Sequence, residues 1–430
     1  MFRLRFIMLC SLLVGVTSCT HFAKFNSQPL DVDSSAAKLT NRSLHGKTWT
    51  LVSLTQEAVK SHPTLAVAHA KYDTALATVR SAGERPNPTL ALAPQIVTPF
   101  KKWTEGTYGF DFDWTFETAG KRSKRVEIAE SQVRSAAANV VDATWKVRSA
   151  VRKAFLEVYS AEQKTKLLNE AIAMQDELLK AYEERVKAGS ESRSATTQAR
   201  LLRAQMRLQA AESAKLASVA RASLSEALGM SLQGLEGARF NFAAFDSSKD
   251  ARPSRKQALT HRADVLAALA DYAGTEGLLR LEIAKQYPDL HLNPGYSLDT
   301  NQNKWALGIG LTLPILNHNQ GAIGEAEAKR KEAAASFDAV QAKVLAEYDR
   351  AAASVAASRT KLATTDALLE EQAQQIASEQ RLMDAGSGDR AALLSAKVEK
   401  AATLAARVEA LADIQSALGE LETATQTPIP

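Results

Sequence analysis

Cysteine is almost missing from this chain of 430 residues, which carries it only at positions 10 and 19. A disulfide scaffold and a cysteine-built metal site are thereby excluded. Proline and glycine are absent from residues 121–187 and again from 325–385. Nothing in either stretch stops a helix, and at about 1.5 Å per residue each becomes a rod of roughly 100 Å. No compact domain has room for that. The opening apolar run, residues 6–16, has eleven residues, about half of the roughly twenty that a membrane-spanning helix needs. No single sign of charge dominates either. The formal net charge is +5, it falls to +3 without Arg3 and Arg5, and the signs are interleaved. That pattern describes solvated helix faces, and no nucleic-acid partner is expected. Catalytic framing is missing too. Ser, His and Asp occur, but no nucleophile elbow, metal-ligand pair or phosphate-cradling loop surrounds them. His62 and His69 lie seven apart, too far for a one-turn zinc pair. No enzyme activity, resident metal or cofactor is expected.

What is present begins with an address. Arg3 and Arg5 precede the apolar run, and small residues close it, which is the order of a secretory signal. Val16-Thr17-Ser18-Cys19 resembles a lipobox, in which cleavage before Cys19 leaves that residue to carry covalent lipid. Thr20 in place of aspartate implies sorting to the outer membrane in lipoproteins of this kind. An ordinary signal peptide with a chance cysteine is the other reading.

The rest of the chain is one unit given twice. Asn87-Pro88-Thr89-Leu90 is echoed by Tyr287-Pro288-Asp289-Leu290, with the prolines 200 positions apart. Ala188-Gly189-Ser190 returns 197 positions later as Ala385-Gly386-Ser387. The expected order in each unit is helix, strand, strand, long helix and return helix. The expected segments are a signal peptide 1–18, a lipidated linker 19–53, a first repeat 54–228, an equatorial connection 229–253, a second repeat 254–422 and a tail 423–430. Within the repeats, strands are expected at about 89–98, 107–117, 289–299 and 304–315. Long helices are expected at 121–187 and about 320–384.

The strands carry the clearest pattern. Tyr108, Phe110, Phe112, Trp114 and Phe116 alternate with Gly109, Asp111, Asp113 and Thr115. Period two sets the aromatics on one face and the small or acidic residues on the other. Trp305, Leu307, Ile309, Leu311 and Leu313 repeat the design against Ala306, Gly308, Gly310 and Thr312. One apolar face suits either a soluble sandwich or a membrane barrel with a wet lumen. In lipid, four strands per chain cannot close, since small barrels begin at about eight. An open sheet there leaves backbone groups without partners, so neighbours are required.

Each rod ends at a glycine turn and returns as a shorter helix, about 193–228 and 389–421. A return helix of about 36 residues stacked on an opening helix of about 32 would line a rod of 67 residues. Val126, Ala129, Val133, Ala136, Val140, Ala143, Val147 and Ala150 give the first rod a seam of small residues for close packing.

Taken together, this order resembles the TolC-type outer-membrane efflux proteins over about residues 50–425. Tyr287-Pro288-Asp289-Leu290, Gly295-Tyr296-Ser297 and Leu313-Pro314-Ile315 are similar to that family's second-repeat signature. The resemblance implies a mainly α-helical protein with a small transmembrane β-barrel. It implies a homotrimer whose twelve strands make one barrel, set in outer-membrane lipid above a long periplasmic coiled-coil tunnel. It implies a periplasmic adaptor (membrane fusion) protein and an inner-membrane pump of the RND type as partners. Glu117-Thr118-Ala119-Gly120-Lys121-Arg122 and Asn317-His318-Asn319-Gln320-Gly321 look like elements of the cobalt/zinc/cadmium branch, with Ala119 where that branch has glycine. A drug or secretion branch, or a structural coiled-coil lipoprotein without transport, remain the alternatives.

Candidate residues follow. Cys19 is the lipidation site. Tyr108, Phe110, Phe112, Trp114, Phe116, Trp305, Leu307, Ile309, Leu311 and Leu313 are expected to face the membrane. Asp384 and Asp389 bracket the second glycine turn, and symmetry would make each a ring at the tunnel mouth, favouring cations and holding a gate. Gly189, Ser190, Arg193, Gly386, Ser387 and Arg390 form the hairpin tips where the adaptor would touch. His318 reads as a polar turn residue at the barrel-to-helix junction.

Overall fold

The computed structural model describes residues 25–92, 94–95, 106–246, 254–299 and 302–429. The signal, Cys19 and residues 93 and 96–98 of the expected strand 89–98 lie outside the described residues. The chain divides into a short unit up to Arg42 and a large one from Ser43 onward. The short unit holds helix α1 (Val32–Thr40), capped by Asp31, whose side chain accepts from the Asp33 N–H. The expected linker thus contains a helix of its own.

In the large unit, strand β1 (Thr48–Trp49) leads into α2 (Leu51–Ser61), started by a Thr50–Ser53 capping box, and α3 (Pro63–Ala82). The single opening helix expected at 54–82 is therefore two. Pro63 has no N–H to continue α2 and forces the preceding His62 into an extended conformation. Strands β2 (Thr89–Leu92) and β3 (Thr107–Phe116) follow, then the rod α4 (Lys121–Lys187) and its return α5 (Arg193–Ala227). A connection with β4 (Arg239–Phe240) pairs parallel to β1. The second repeat runs α6 (Arg255–His261), α7 (Ala263–Ala284), β5 (Leu290–Asp299), β6 (Gln302–Leu311), α8 (Gln320–Asp384) and α9 (Arg390–Thr425). Its opening helix is broken as well, at Arg262, without any proline.

The helices form a slab one layer thick. One flank of α4 packs against α3 and α5, the other against α7 and α9, and α8 packs against α7 and α9 on their far side. The lateral order is therefore α3 with α5, then α4, then α7 with α9, then α8. Close approach depends on small residues: buried Ser131 of α4 meets Gly274 of α7, and a Cβ on Gly277 would come within 2.9 Å of Ile128. Of the expected seam, Ala129 and Val147 are buried, while Ala150 is exposed.

The core sits at mid-height, where the connection closes over α4. Phe155 is fully buried, with ring centroids 4.8 Å from Phe242, 5.5 Å from Phe240 and 5.7 Å from Phe245. Trp49, Leu54, Leu224 and Leu228 complete this cluster. At the far end of the slab, the four longer strands make one antiparallel sheet in the order β2-β3-β5-β6. Among the described residues, both β2 and β6 are paired on one side only.

Candidate channel face, strand-to-helix junctions and helix tips

Directly opposed residues of an antiparallel pair share a face. Phe110 opposes Tyr296, which opposes Trp305; Trp114, Leu292 and Ile309 form a second row; Phe116, Leu290 and Leu311 form a third. Leu90 opposes Phe112. Tyr108, Phe110, Phe112, Trp114, Phe116, Trp305, Leu307, Ile309 and Leu311 thus fall on one face. They are joined by Leu90, Leu92, Leu290, Leu292, Tyr296 and Leu298. Tyr296 packs on Trp305 at 4.8 Å between centroids and on Phe110 at 5.8 Å.

Leu313 does not belong to this ladder. The strand expected to reach 315 ends at Leu311, because Pro314 offers no N–H and the Ile315 N–H turns back onto the Leu313 carbonyl at 2.9 Å.

The other face holds Asp111, Asp113, Thr115, His291, Asn293, Ser297, Asp299 and Lys304, with Gly295, Gly308 and Gly310 between them. His291 Nδ1 lies 3.2 Å from Asp113 Oδ1 and 3.3 Å from Thr115 Oγ1. Lys304 Nζ donates to Asp299 at 2.5 Å, and Thr107 Oγ1 donates to the same carboxylate at 3.2 Å. A Cβ at Gly295 would collide with Asp111, so glycine makes room for that carboxylate.

Between sheet and rods, the two junctions are built differently. In the first, Ala119 (φ 52°) and Gly120 (φ 67°) turn the chain through the left-handed region into α4. Lys121 Nζ donates to Asp289 and to the Tyr287 carbonyl, each at 2.7 Å, and the Thr118 N–H donates to Asp289 at 2.9 Å. Arg125 grips both oxygens of Glu117. In the second, Asn319 (φ 62°) makes the turn, and its Nδ2 donates to the Glu282 carbonyl at 2.8 Å and to its carboxylate at 2.9 Å. Burial would push the Glu282 carboxyl up, but hydrogen bonds from Lys285 and Asn319 outweigh it and hold the group below the ordinary range. His318 is exposed, and its N–H donates to the Gln320 side chain at 3.1 Å. Among the described residues no three His, Cys, Asp or Glu side chains converge as a metal site.

At the opposite end, both rods finish in the same six-residue cap. Gly189 and Gly386 are left-handed (φ 74° and 75°). The Ser190 N–H reaches back to the Arg185 carbonyl at 2.9 Å, and the Ser387 N–H to the Leu382 carbonyl at 3.1 Å. Arg193 and Arg390 open the return helices and are exposed.

The two acids at this tip are not equivalent. Asp389 caps α9 through the Ala391 N–H at 2.8 Å and receives Arg185 Nη1 on both oxygens, at 3.0 and 2.9 Å. The hydrogen bond from Arg185 outweighs partial burial and holds the Asp389 carboxyl below its usual range. Asp384 accepts only a local bond from Gln380, at 2.9 Å. The Arg185–Asp389 bond ties the first tip to the second, and the choice of Asp389 over Asp384 is made by the fold.

Such a chain, with a half-apolar open sheet at one end of a helical slab, has the parts of a channel protomer. It belongs to the outer membrane efflux protein family, whose model matches residues 54–230 and 255–426. It is accordingly an outer-membrane protein. It is 27% identical over 280 residues to the cobalt-zinc-cadmium resistance protein CzcC of Cupriavidus metallidurans. That match covers 63% of this chain and 64% of CzcC, a little under two-thirds of the relative. Among solved structures, the outer membrane protein VceC of Vibrio cholerae superposes with a TM-score of 0.68 at 21% identity, covering 88% of this chain and 96% of VceC. The open-state outer membrane channel MtrE of Neisseria gonorrhoeae gives a TM-score of 0.71 at 15% identity, covering 95% and 98%.

Proposed function

We propose that three copies of this chain close into one outer-membrane duct, the exit channel of a tripartite efflux system carrying substrate from an inner-membrane pump and a periplasmic adaptor. One observation carries this reading. The sheet and the slab both end in unlike free edges: β2 and β6 in the sheet, α3 with α5 and α8 in the slab. A head-to-tail contact between unlike edges generates a ring when its rotation closes. Three copies bring twelve strands, within the range of membrane barrels. The row of aromatic and aliphatic residues then meets lipid, and the polar face with Asp111, Asp113 and His291 lines the lumen.

The similarity to CzcC, a cobalt-zinc-cadmium resistance protein, supports heavy-metal cations as the cargo, and the inner-membrane pump would be of the RND type. Lipid on Cys19 would add an anchor, the hairpin tips would meet the adaptor, and Asp384 and Asp389 would ring the periplasmic mouth. The test is native mass spectrometry of the detergent-extracted protein together with conductance in planar bilayers. A trimer with unitary conductance is expected. A water-soluble monomer without conductance overturns the reading.

A further inference from the structure

The segment joining β6 to α8, residues 312–319, is longer and more apolar than its counterpart in the first repeat, residues 117–120. It exposes Leu313 (66%), Ile315 (71%) and Leu316 (97%) within four residues. Solvated loops do not gather aliphatics this way, and such patches mark contact with another phase or molecule. The loop is not slack. Ile315 N–H bonds back to Leu313, Asn319 N–H donates to Asn317 Oδ1 at 2.8 Å, and Asn319 Nδ2 is pinned to Glu282. A built backbone therefore holds these side chains outward. The corresponding first-repeat segment, Glu117-Thr118-Ala119-Gly120, is polar and shut by the Arg125–Glu117 and Lys121–Asp289 pairs.

Position decides what covers the patch. Leu313 and Ile315 continue in sequence the exposed series Trp305, Leu307, Ile309 and Leu311. At about 3.3 Å per residue, Trp305 to Leu311 extends roughly 20 Å, which at a tilt of about 40° gives roughly 15 Å of height, so the segment after β6 begins within reach of the roughly 25 Å apolar band of a membrane barrel. Leu316 then falls where hydrocarbon ends and the helices begin.

We propose that Leu313, Ile315 and Leu316 form a wedge that inserts among the phospholipids of the leaflet nearest the helices, fixing the depth of the barrel. This rests on the membrane-barrel reading, and the test separates the two. The full chain, with Cys10→Ser and Cys19→Ser, carries an environment-sensitive fluorophore at L316C, at L307C or at S190C. Each labelled protein is reconstituted into phosphatidylethanolamine–phosphatidylglycerol vesicles with brominated acyl chains. The L316C label is expected to lose emission to the same extent as the L307C label, while S190C loses none. Quenching at L307C with unquenched, red-shifted emission at L316C overturns the wedge and leaves the barrel standing. Unquenched but blue-shifted emission at L316C also overturns it, and assigns the patch to a neighbouring copy. Quenching at neither L307C nor L316C removes the barrel itself. Should L316C fail to assemble, I315C carries the same label.

Discussion

The two repeats join their short helices end to end in the same place by different chemistry. In the first repeat, α5 finishes at Leu228-Gly229 against the start of α3. Gly229 is left-handed (φ 64°), and a Cβ there would lie 2.7 Å from the Pro63 ring. His62 caps α3 through its Nδ1, which accepts from the Thr64 N–H at 3.2 Å. In the second repeat, α9 finishes at Gln426 against the start of α7. Gln426 Oε1 accepts from the Ala263 N–H at 2.7 Å, and its Nε2 donates to Asp142 of α4 at 3.2 Å. Arg262, 6% exposed, binds Asp264 through two nitrogens at 3.0 and 2.7 Å, Glu347 of α8 at 2.7 Å and the Ala424 carbonyl at 3.1 Å. Beside it, Arg148 donates to the buried Glu422 at 2.7 Å. The first joint is made by proline, which restricts the backbone, and by glycine, which tolerates a left-handed one. The second is made by side chains that must find one another, so it depends on three helices being in place.

That difference can be broken deliberately. Arg262→Ala leaves Asp264 without its cation and Glu347 with only Lys343, 3.9 Å away, and a partly buried ion network cut on one side loses about 3 kcal/mol. It should lower the midpoint of helix unfolding, followed by circular dichroism in detergent, more than any change at the first joint. A midpoint equal to wild type would show that the charged joint is dispensable. Gly229→Ala should cost less, about 2 kcal/mol, from the left-handed φ and the crowding against Pro63. Pro63→Ala should cost least of the three, about 1 kcal/mol, because Pro acts mainly by restricting the unfolded chain. A larger loss for Pro63→Ala than for Arg262→Ala would reverse the comparison.

The tips offer a smaller test. The folded Asp389 carboxyl lies below its unfolded value, chiefly through the Arg185 hydrogen bond. Its contribution is therefore complete above the unfolded pKa of about 4 and is lost as pH falls through the lower folded value. If this bond helps to hold the mouth closed, bilayer conductance should stay flat from about pH 8 to about pH 5 and rise only below about pH 4. Asp389→Asn should abolish the step. Asp384→Asn, whose acid bonds only to Gln380 on its own helix, should leave it unchanged.

Much of the fold could be read from what the chain omits. Two stretches without helix breakers are α4 and most of α8, and period-two alternation marks the apolar sides of β3 and β6. The break at His62 was missed although Pro63 signals it locally. The break at Arg262 was not legible, because nothing local disfavours helix there; the extended turn exists where Glu347 and Ala424, both distant in sequence, meet the guanidinium. The contribution of β5 to the apolar face was hidden for a related reason. Pro294 and Gly295 interrupt its pattern, and only pairing with β3 and β6 shows which side Tyr296 and Leu292 occupy.

By itself, then, the sequence determined the elements: rods, caps, ribbons and their duplication, all of which depend on neighbours within a few residues. Tertiary structure alone decided the lateral order of the slab, the free edges of the sheet, the charged joint at Arg262 and the tie between Arg185 and Asp389. Those are contacts between residues far apart in sequence, and periodicity holds no record of which helix or strand will stand beside which.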